Sequence, residues 1–438
     1  MTTRHGPARV DPLEQTPMPP HAVRRGTSDL ARATLETTLD AIAAQEDYRD
    51  GCVGLVPTEN RMSPTARRAL ASDLGHRYLF QNPQWRYVGG THLAEIEDAA
   101  KRAACALFGA TYANVRPLSG ENCTNIVIHA LVEPGDVFYH LAMEDGGHFA
   151  AASVAERITS NRHLLPYDAE RAELDLDGCA RAFADTPPDV IYLDASMVLY
   201  PHRLRELRAL AGPEATIVYD ASQVFGLLAG GVFQEPLAEG ADVLSGSTHK
   251  SLPGPQKGMI LTRRRDLMDR IEKAIFPGHV SNFHLHHVAA LAVTLAEAQA
   301  FGADYARRTV ANARVLADEL ARRGLGVQCG PPHHHHRTDS HQVWLDVAGL
   351  ATPDEAVERL HAANLIANVN LIPSLRDKGL RLGVPEATRL GMGEAEMREL
   401  ADLMHAALSG SEPWTDVRRR TVRLARRFPS VRYCFPTA

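Results

Sequence analysis

Short apolar, β-rich runs alternate with helical stretches along most of the chain. Val137-Phe138-Tyr139, Val190–Leu193, Thr216–Tyr219, Val243-Leu244 and Gly258–Thr262 read as strands. The segments 93–107 and 202–211 read as helices between them. This alternation, from about Pro64 to Phe301, predicts an α/β layered fold with a mostly parallel sheet. Ahead of it, Leu30, Leu35, Leu39 and Ile42 recur near helical spacing behind Ser28, a candidate N-cap. Residues 1–27 carry Pro, Arg and Thr without periodicity and read as a loose arm. A long helix is expected from about Val288 to Val315. An α+β pattern follows: strand Val343–Val347, helix 353–363, strand Leu365–Val369 and a helix from Glu394. The expected division is an arm and helix over 1–63, a large α/β domain over 64–301 and a smaller α+β C-terminal domain over 302–438.

Composition narrows the class. The 438 residues are 45% hydrophobic and 23% charged, an ordinary globular mix that excludes disorder and collagen-like repeats. No apolar run approaches the ~18 residues that cross a bilayer, and no apolar leader marks the N-terminus. Lys and Arg total 47 against 53 Asp and Glu, a net charge of −6 that argues against a dedicated nucleic-acid binder. The six Arg of Asp416–Phe428 share their segment with Val417, Val422 and Leu424, so they read as the solvated face of an amphipathic helix. Cys52, Cys105, Cys123, Cys179, Cys329 and Cys434 form no C-x-x-C pair, and a cytoplasmic, reducing setting is expected.

Candidate chemistry collects at strand ends, where open parallel sheets bind ligands. Thr216–Tyr219 ends in Asp220. Val243-Leu244 runs into Ser245-Gly246-Ser247-Thr248-His249-Lys250. Val137–Leu141 leads to Glu144-Asp145-Gly146-Gly147-His148. A Lys behind a Ser/Thr/Gly loop, with an Asp on the preceding strand, fits pyridoxal 5'-phosphate: the amine binds the aldehyde and the carboxylate holds the ring nitrogen protonated. Taken alone, Lys250 would be a loop lysine and Asp220 a strand cap. The ordered set carries the inference.

From about residue 30 to 430 the chain resembles serine hydroxymethyltransferase, a fold-type I pyridoxal-phosphate enzyme. The resemblance rests on V-P-T-E-N-R-M-S-P (56–64), R-Y-V-G-G-T-H (86–92), L-F-G-A-T-Y-A-N-V-R-P-L-S-G (107–120), D-G-G-H (145–148), Y-D-A-S-Q-V-F-G-L (219–227), S-T-H-K-S-L-P-G-P (247–255), F-P-G (276–278) and G-L-R-L-G-V-P-E-A-T-R (379–389). It implies an aminotransferase-like three-layer large domain, a smaller α+β domain, and a homodimer with shared active sites. Lys250 is implied as the Schiff-base lysine, Asp220 as partner of the pyridine nitrogen, and His148 as the residue stacked on the ring. Arg381, with Thr58, is implied to grip the amino-acid carboxylate. Tyr78 would reach into the neighbouring subunit's site. Ser119, Gly120, Ser247 and His249 fall at phosphate or cofactor-edge positions, and Ser196 near the ring oxygen.

The chain departs from the family pattern where substrate and folate would sit. Phe80 stands where the family has an acid–base Glu, and Phe cannot move a proton. Val88 replaces a Tyr, Gln223 a His, and Glu121 a small phosphate-binding Ser. These departures favour a folate-independent aldolase or transaldolase acting on β-hydroxy-α-amino acids in specialised metabolism, such as antibiotic biosynthesis. β-Elimination or decarboxylation of an amino-acid conjugate, and true serine–glycine hydroxymethyl transfer, are the alternatives; a degenerate homologue serving as a scaffold is a third class. Elsewhere, His333–His336 read as an exposed loop rather than a metal site. His284, His286 and His287 are open between a ligand contact and helix capping, and Cys123 reads as a packed residue.

Overall fold

The structure, a computed structural model, describes residues 27–79, 81–82, 85–86 and 90–436. The N-terminal arm, Phe80 and Tyr87-Val88-Gly89 therefore lie outside the described residues. Two units are distinguished, and the first holds a single described helix, α1 (Thr27–Asp50). Ser28 lies inside this helix instead of capping it, because the helix already includes Thr27. Its apolar stripe of Leu30, Leu35, Leu39 and Ile42 is exposed.

The second unit, Gly51–Ala438, is built on a seven-stranded sheet. In chain order its strands are β1 (Tyr112–Asn114), β2 (Phe138–His140), β3 (Arg162–Leu164), β4 (Val190–Leu193), β5 (Thr216–Asp220), β6 (Val243–Ser247) and β7 (Gly258–Thr262). Their order across the sheet is β1-β7-β6-β5-β4-β2-β3. Strands β3, β2, β4, β5 and β6 pair in parallel, while β7 is antiparallel to both β6 and β1. The expected mostly parallel sheet is thus present. β4, β6 and β7 are buried along their whole length, as continuous apolar or small-residue runs in a covered sheet must be.

A four-stranded antiparallel sheet follows, with β8 (Gly326–Val327), β9 (Gln342–Asp346), β10 (Asn368–Ile372) and β11 (Asp377–Gly383) in the order β8-β9-β11-β10. The expected strand over 365–369 is split: Leu365-Ile366 pairs instead with Val53-Gly54. The helix expected over 288–315 runs from Leu285 to Arg322, through the boundary proposed at 301/302. Its first half gives Leu285, Val288, Leu291 and Leu295 to the core of the large sheet. Its second half gives Ala313, Leu316 and Leu320 to the core of the small sheet, which Val53 and Leu55 also join.

A buried ion pair ties this helix to the short helix after β11, Pro385–Arg389. Arg389 Nη2 donates to Glu297 Oε2 at 3.0 Å, and both side chains are 2% exposed. Arg389 also donates to the carbonyl of Tyr433 at 2.6 Å. Removing one member of such a pair strands the other charge without water. Arg389→Ala is therefore expected to cost about 3–5 kcal/mol in urea unfolding, and the joint apolar replacement R389M/E297L much less. A single-variant loss no larger than that of the double would contradict this assignment.

Candidate active site

The parallel register delivers the chemistry to one edge of the sheet. Tyr219 pairs with Leu193 and Asp220 with Ser245, so the residues leaving β4, β5 and β6 emerge side by side. Gly246 has φ +146°, and a Cβ there would lie 2.6 Å from the Ser222 nitrogen and 2.9 Å from Asp220 Oδ1. Only glycine lets β6 pass this close to the end of β5. Asp220 Oδ1 accepts the Ser222 N–H at 2.8 Å, and Ser222 Oγ accepts the Ser247 N–H at 2.8 Å.

Beyond β6 stands Lys250, half-buried. Its backbone carbonyl accepts a hydrogen bond from Asn60 Nδ2 at 2.9 Å, and Asn60 is held in turn by the Tyr305 hydroxyl at 2.9 Å. Burial pushes the Lys250 ammonium below the usual lysine range, Asp220 opposes this, and the Arg381 charge adds to it. His148 caps the helix Phe149–Ala155: its Nδ1 accepts the Ala150 N–H at 3.2 Å, which places the proton of the neutral ring on Nε2. Burial lowers the His148 pKa, with Asp220 opposing and Lys250 reinforcing; the charges of Glu121 and Arg381 also reach it. His148, Asp220, Lys250 and Arg381 therefore form one electrostatic cluster.

Ser119, Gly120 and Ser247 meet at the other end of the cluster. Ser119 Oγ accepts the Asn122 N–H at 3.0 Å and caps the helix Gly120–Leu131. A Cβ on Gly120 would lie 2.8 Å from the Ser247 Cβ, so glycine keeps the helix N-terminus against the end of β6. Such a terminus attracts anions. Beside it, Ser247 Oγ and His249 Nδ1 are buried with no hydrogen-bond partner among the described residues. The donors suit a phosphate, Asp220 a pyridine nitrogen and Lys250 an aldehyde: the residues fit pyridoxal phosphate. Glu121, expected to repel a phosphate, is exposed in the first helical turn, where a negative charge is favourable.

Arg381, on β11, is buried, and burial lowers its pKa to about 10. Its Nη1 donates to the Ser196 carbonyl at 3.2 Å, while Nε has no partner among the described residues. Thr58 is half-buried, next to Pro57. A Cβ on Gly383 would lie 2.5 Å from the Pro57 Cα, and Gly383 N–H donates to the Leu55 carbonyl at 2.8 Å. The Thr58 turn thereby lies against the strand of Arg381. The Ser196 hydroxyl donates to the Gly146 carbonyl at 3.1 Å. Gln223 is buried and accepts a hydrogen bond from Gln342. Tyr78 is 49% exposed, and Phe80 lies outside the described residues.

The remaining candidates take structural places. His334 stacks on Tyr200 with ring centroids 3.5 Å apart, and its Nε2 lies 2.8 Å from the Arg171 carbonyl. No group of three or more His, Cys, Asp or Glu is arranged to hold a metal among the described residues. His284 precedes the long helix but makes no side-chain cap bond, and His287 Nδ1 lies 3.1 Å from the Gln256 carbonyl. Cys123 is fully buried, and burial drives its thiol far above the usual range, as suits a packed residue.

Two buried residues of the site escaped the sequence reading. His341, fully buried, is pushed down to about 3 by burial and by the charges of Arg381 and Lys250. Asp194 follows β4 as Asp220 ends β5, which is the signal that could have found it. Its Oδ2 accepts the His148 N–H at 3.2 Å, and burial followed by the Asp220 charge raises its pKa well above the ordinary 3.8. The unfolded chain loses this proton near pH 3.8 and the folded chain keeps it, so across that window stability falls as pH rises. Asn does not titrate. The thermal midpoint of Asp194→Asn relative to the native protein is expected to climb between pH 5 and pH 8; a flat or falling difference would remove the neutral carboxyl.

Comparison with known proteins agrees with this arrangement. A family profile described as serine hydroxymethyltransferase matches residues 33–404. The chain is 41% identical over 411 residues to a serine hydroxymethyltransferase of Methanopyrus kandleri, covering 92% of this chain and 95% of that one. It is 39% identical over 411 residues to that of Methanocella arvoryzae, covering 92% and 96%. Among solved structures it is similar to L-threonine transaldolase from Pseudomonas fluorescens, with a TM-score of 0.87 and 29% identity over 93% of this chain and 95% of that one. The chain belongs to the serine hydroxymethyltransferase family of fold-type I pyridoxal-phosphate enzymes.

Proposed function

We propose that this enzyme reversibly breaks the Cα–Cβ bond of a β-hydroxy-α-amino acid, with serine and glycine as its amino-acid pair. The observation that carries this is the 41% identity to a serine hydroxymethyltransferase over 92% of the chain. The same reading assigns work to each residue of the cluster. Arg381 and Thr58 hold the substrate carboxylate, the guanidinium offering two parallel donors. Holding it fixes which Cα bond stands perpendicular to the cofactor ring. Pyridoxal phosphate, when bound, supplies the electron sink that makes that bond labile. Asp220 keeps the ring nitrogen protonated. The lowered pKa of Lys250 raises the fraction of free amine, which can attack a carbonyl and accept a proton at Nζ. His148, whose neutral ring carries its proton on Nε2, would lie against the ring. Tyr78, exposed on its loop, completes the site of a second copy in a homodimer.

A second reading is transaldol exchange, in which a larger aldehyde replaces formaldehyde and no folate takes part. The apolar Phe80, where the family has an acid–base Glu, favours it, and so does the likeness to L-threonine transaldolase.

Product analysis separates the two. The purified, cofactor-loaded protein is given serine with tetrahydrofolate, and threonine with an aromatic aldehyde. Glycine formed from serine only when tetrahydrofolate is present is the expected outcome. A new β-hydroxy amino acid formed from threonine, with serine left untouched, would replace the first reading by the second. Pyruvate, ammonia or carbon dioxide would overturn both. Lys250→Ala is expected to reduce turnover to background; retained activity would sink the mechanism.

A further inference from the structure

We propose that the Lys257 ammonium serves as a tethered monovalent cation, drawing three backbone carbonyls together so that the phosphate-facing start of the helix Gly120–Leu131 is held in place. The proposal rests on the pyridoxal-phosphate assignment above and makes Lys257 a positioning residue for the phosphate site.

Lys257 immediately precedes β7 and is 1% exposed. Its ammonium has three N–H donors and no acceptor. Nζ lies 2.8 Å from the Phe283 carbonyl, 3.3 Å from that of Pro117 and 3.4 Å from that of Arg116. Three donors thus meet three carbonyls. The nearby carboxylate of Glu97 is committed elsewhere, to Arg116 at 2.8 and 3.0 Å and to Lys101 at 2.9 Å. Arg116 in turn sets its guanidinium over the Phe283 ring, 4.8 Å from the centroid. The surroundings of the Lys257 charge are therefore carbonyl oxygens, the ligands that take a monovalent cation in place of its water.

Each tie leads to a segment that the site needs. Pro117 lies two residues before Ser119, whose hydroxyl caps the helix. Leu118 N–H donates to Asn122 Oδ1 at 2.9 Å, so this segment moves with the first helical turn. Phe283 stands just ahead of the long helix. The backbone of Lys257 holds a third segment: its carbonyl accepts the Thr248 N–H at 3.0 Å, two residues before Lys250. Packing is close here, since a Cβ on Gly258 would lie 2.4 Å from the Ser119 carbonyl oxygen. Without a cation, three carbonyl oxygens would face one another in a buried place. Residues 116–118 would turn to relieve them, and the helix N-terminus would turn with them.

The test uses cofactor-free protein at about pH 6, where the Lys257 amine, lowered by burial to about 7, carries its charge. It compares the affinity of pyridoxine 5'-phosphate with that of pyridoxine. Neither ligand has the aldehyde, so neither reports on Lys250. Choline chloride and potassium chloride supply the same ionic strength. The native protein is expected to hold the phosphorylated ligand equally well in both salts. Lys257→Ala removes the ammonium and leaves the carbonyls. It should bind that ligand about tenfold more weakly in choline chloride, the scale of a charge-assisted hydrogen bond, and recover most of the loss in potassium chloride. Its affinity for pyridoxine should change little. Equal weakness in both salts would mark a packing residue and overturn the proposal. Lys257→Met fills the same space without charge and should show the loss in both salts. Native affinity in this variant would overturn the proposal whether or not Lys257→Ala folds. Binding of neither ligand by the native protein would overturn the cofactor assignment, and this proposal with it.

Discussion

The parallel register of β4, β5 and β6 is the constraint on which the site depends. Once Tyr219 sits opposite Leu193 and Asp220 opposite Ser245, three loops leave the sheet at the same edge. Asp194, Asp220 and the Ser247–Lys250 run then share one space without any contact between them having to create it. A one-residue slip would turn each of these side chains to the opposite face. Gly246 and Gly120 make the close spacing possible, since a Cβ at either would lie within 3 Å of a neighbour. The two glycines thus belong to the catalytic architecture although neither carries a functional group.

The second sheet completes the site by hydrogen bonds between fixed backbones. Arg381 and Gln342 come from β11 and β9, yet both donate to the carbonyl of Ser196, which follows β4. Asn60 joins the Lys250 backbone to Tyr305 on the long helix. The long helix spans both cores, and the buried Arg389–Glu297 pair fastens it to the short helix after β11. A charge pair in such a place is poor evidence for stability, because desolvation offsets its attraction. Its clearer effect is to specify one position of β11, and so of Arg381, relative to the large sheet.

What the sequence made legible follows from physical redundancy. Strand β4 is a run of four residues with apolar bodies, and β7 starts and ends where its pattern does. Lys250, Asp220 and His148 stood out because each ends or follows a strand, whereas Arg381, within β11, was implied only by the family resemblance. The long helix outran its expected limits because His284 and Leu285 carry no conventional cap signal. Asp194, His341 and Gln342 were missed for a different reason. Asp194 lay at the end of a strand like Asp220 but outside the recognised motifs, while His341 and Gln342 lie in the polar run before Val343, and the meaning of each depends on groups far away in sequence. Gln342 finds its hydrogen-bond partners in Val198, Trp344, Ser196 and Gln223, a set that no spacing rule connects. Ser196 was found by resemblance, but its hydroxyl direction was not, because the acceptor at Gly146 appears only when the chain is folded.

The electrostatics of the site point to what must enter it. Burial lowers the pKa of Lys250, of Arg381 to about 10, and of nearby Lys257 to about 7. Lys257 is compensated, with its ammonium donating to the carbonyls of Phe283 at 2.8 Å and Pro117 at 3.3 Å. Arg381 is not, since its Nε lacks a partner among the described residues. His249, held down to about 4, and His341, held down to about 3, add no charge at neutral pH. Buried cations and donors without protein partners among the described residues thus surround a small space. A phosphate at the helix N-terminus and a carboxylate at Arg381 would partner them where they lie. Because such anions would bind the folded chain and not the unfolded one, their binding adds to its stability. The net charge of −6 hides this, for it sums over a surface that the reacting groups never meet.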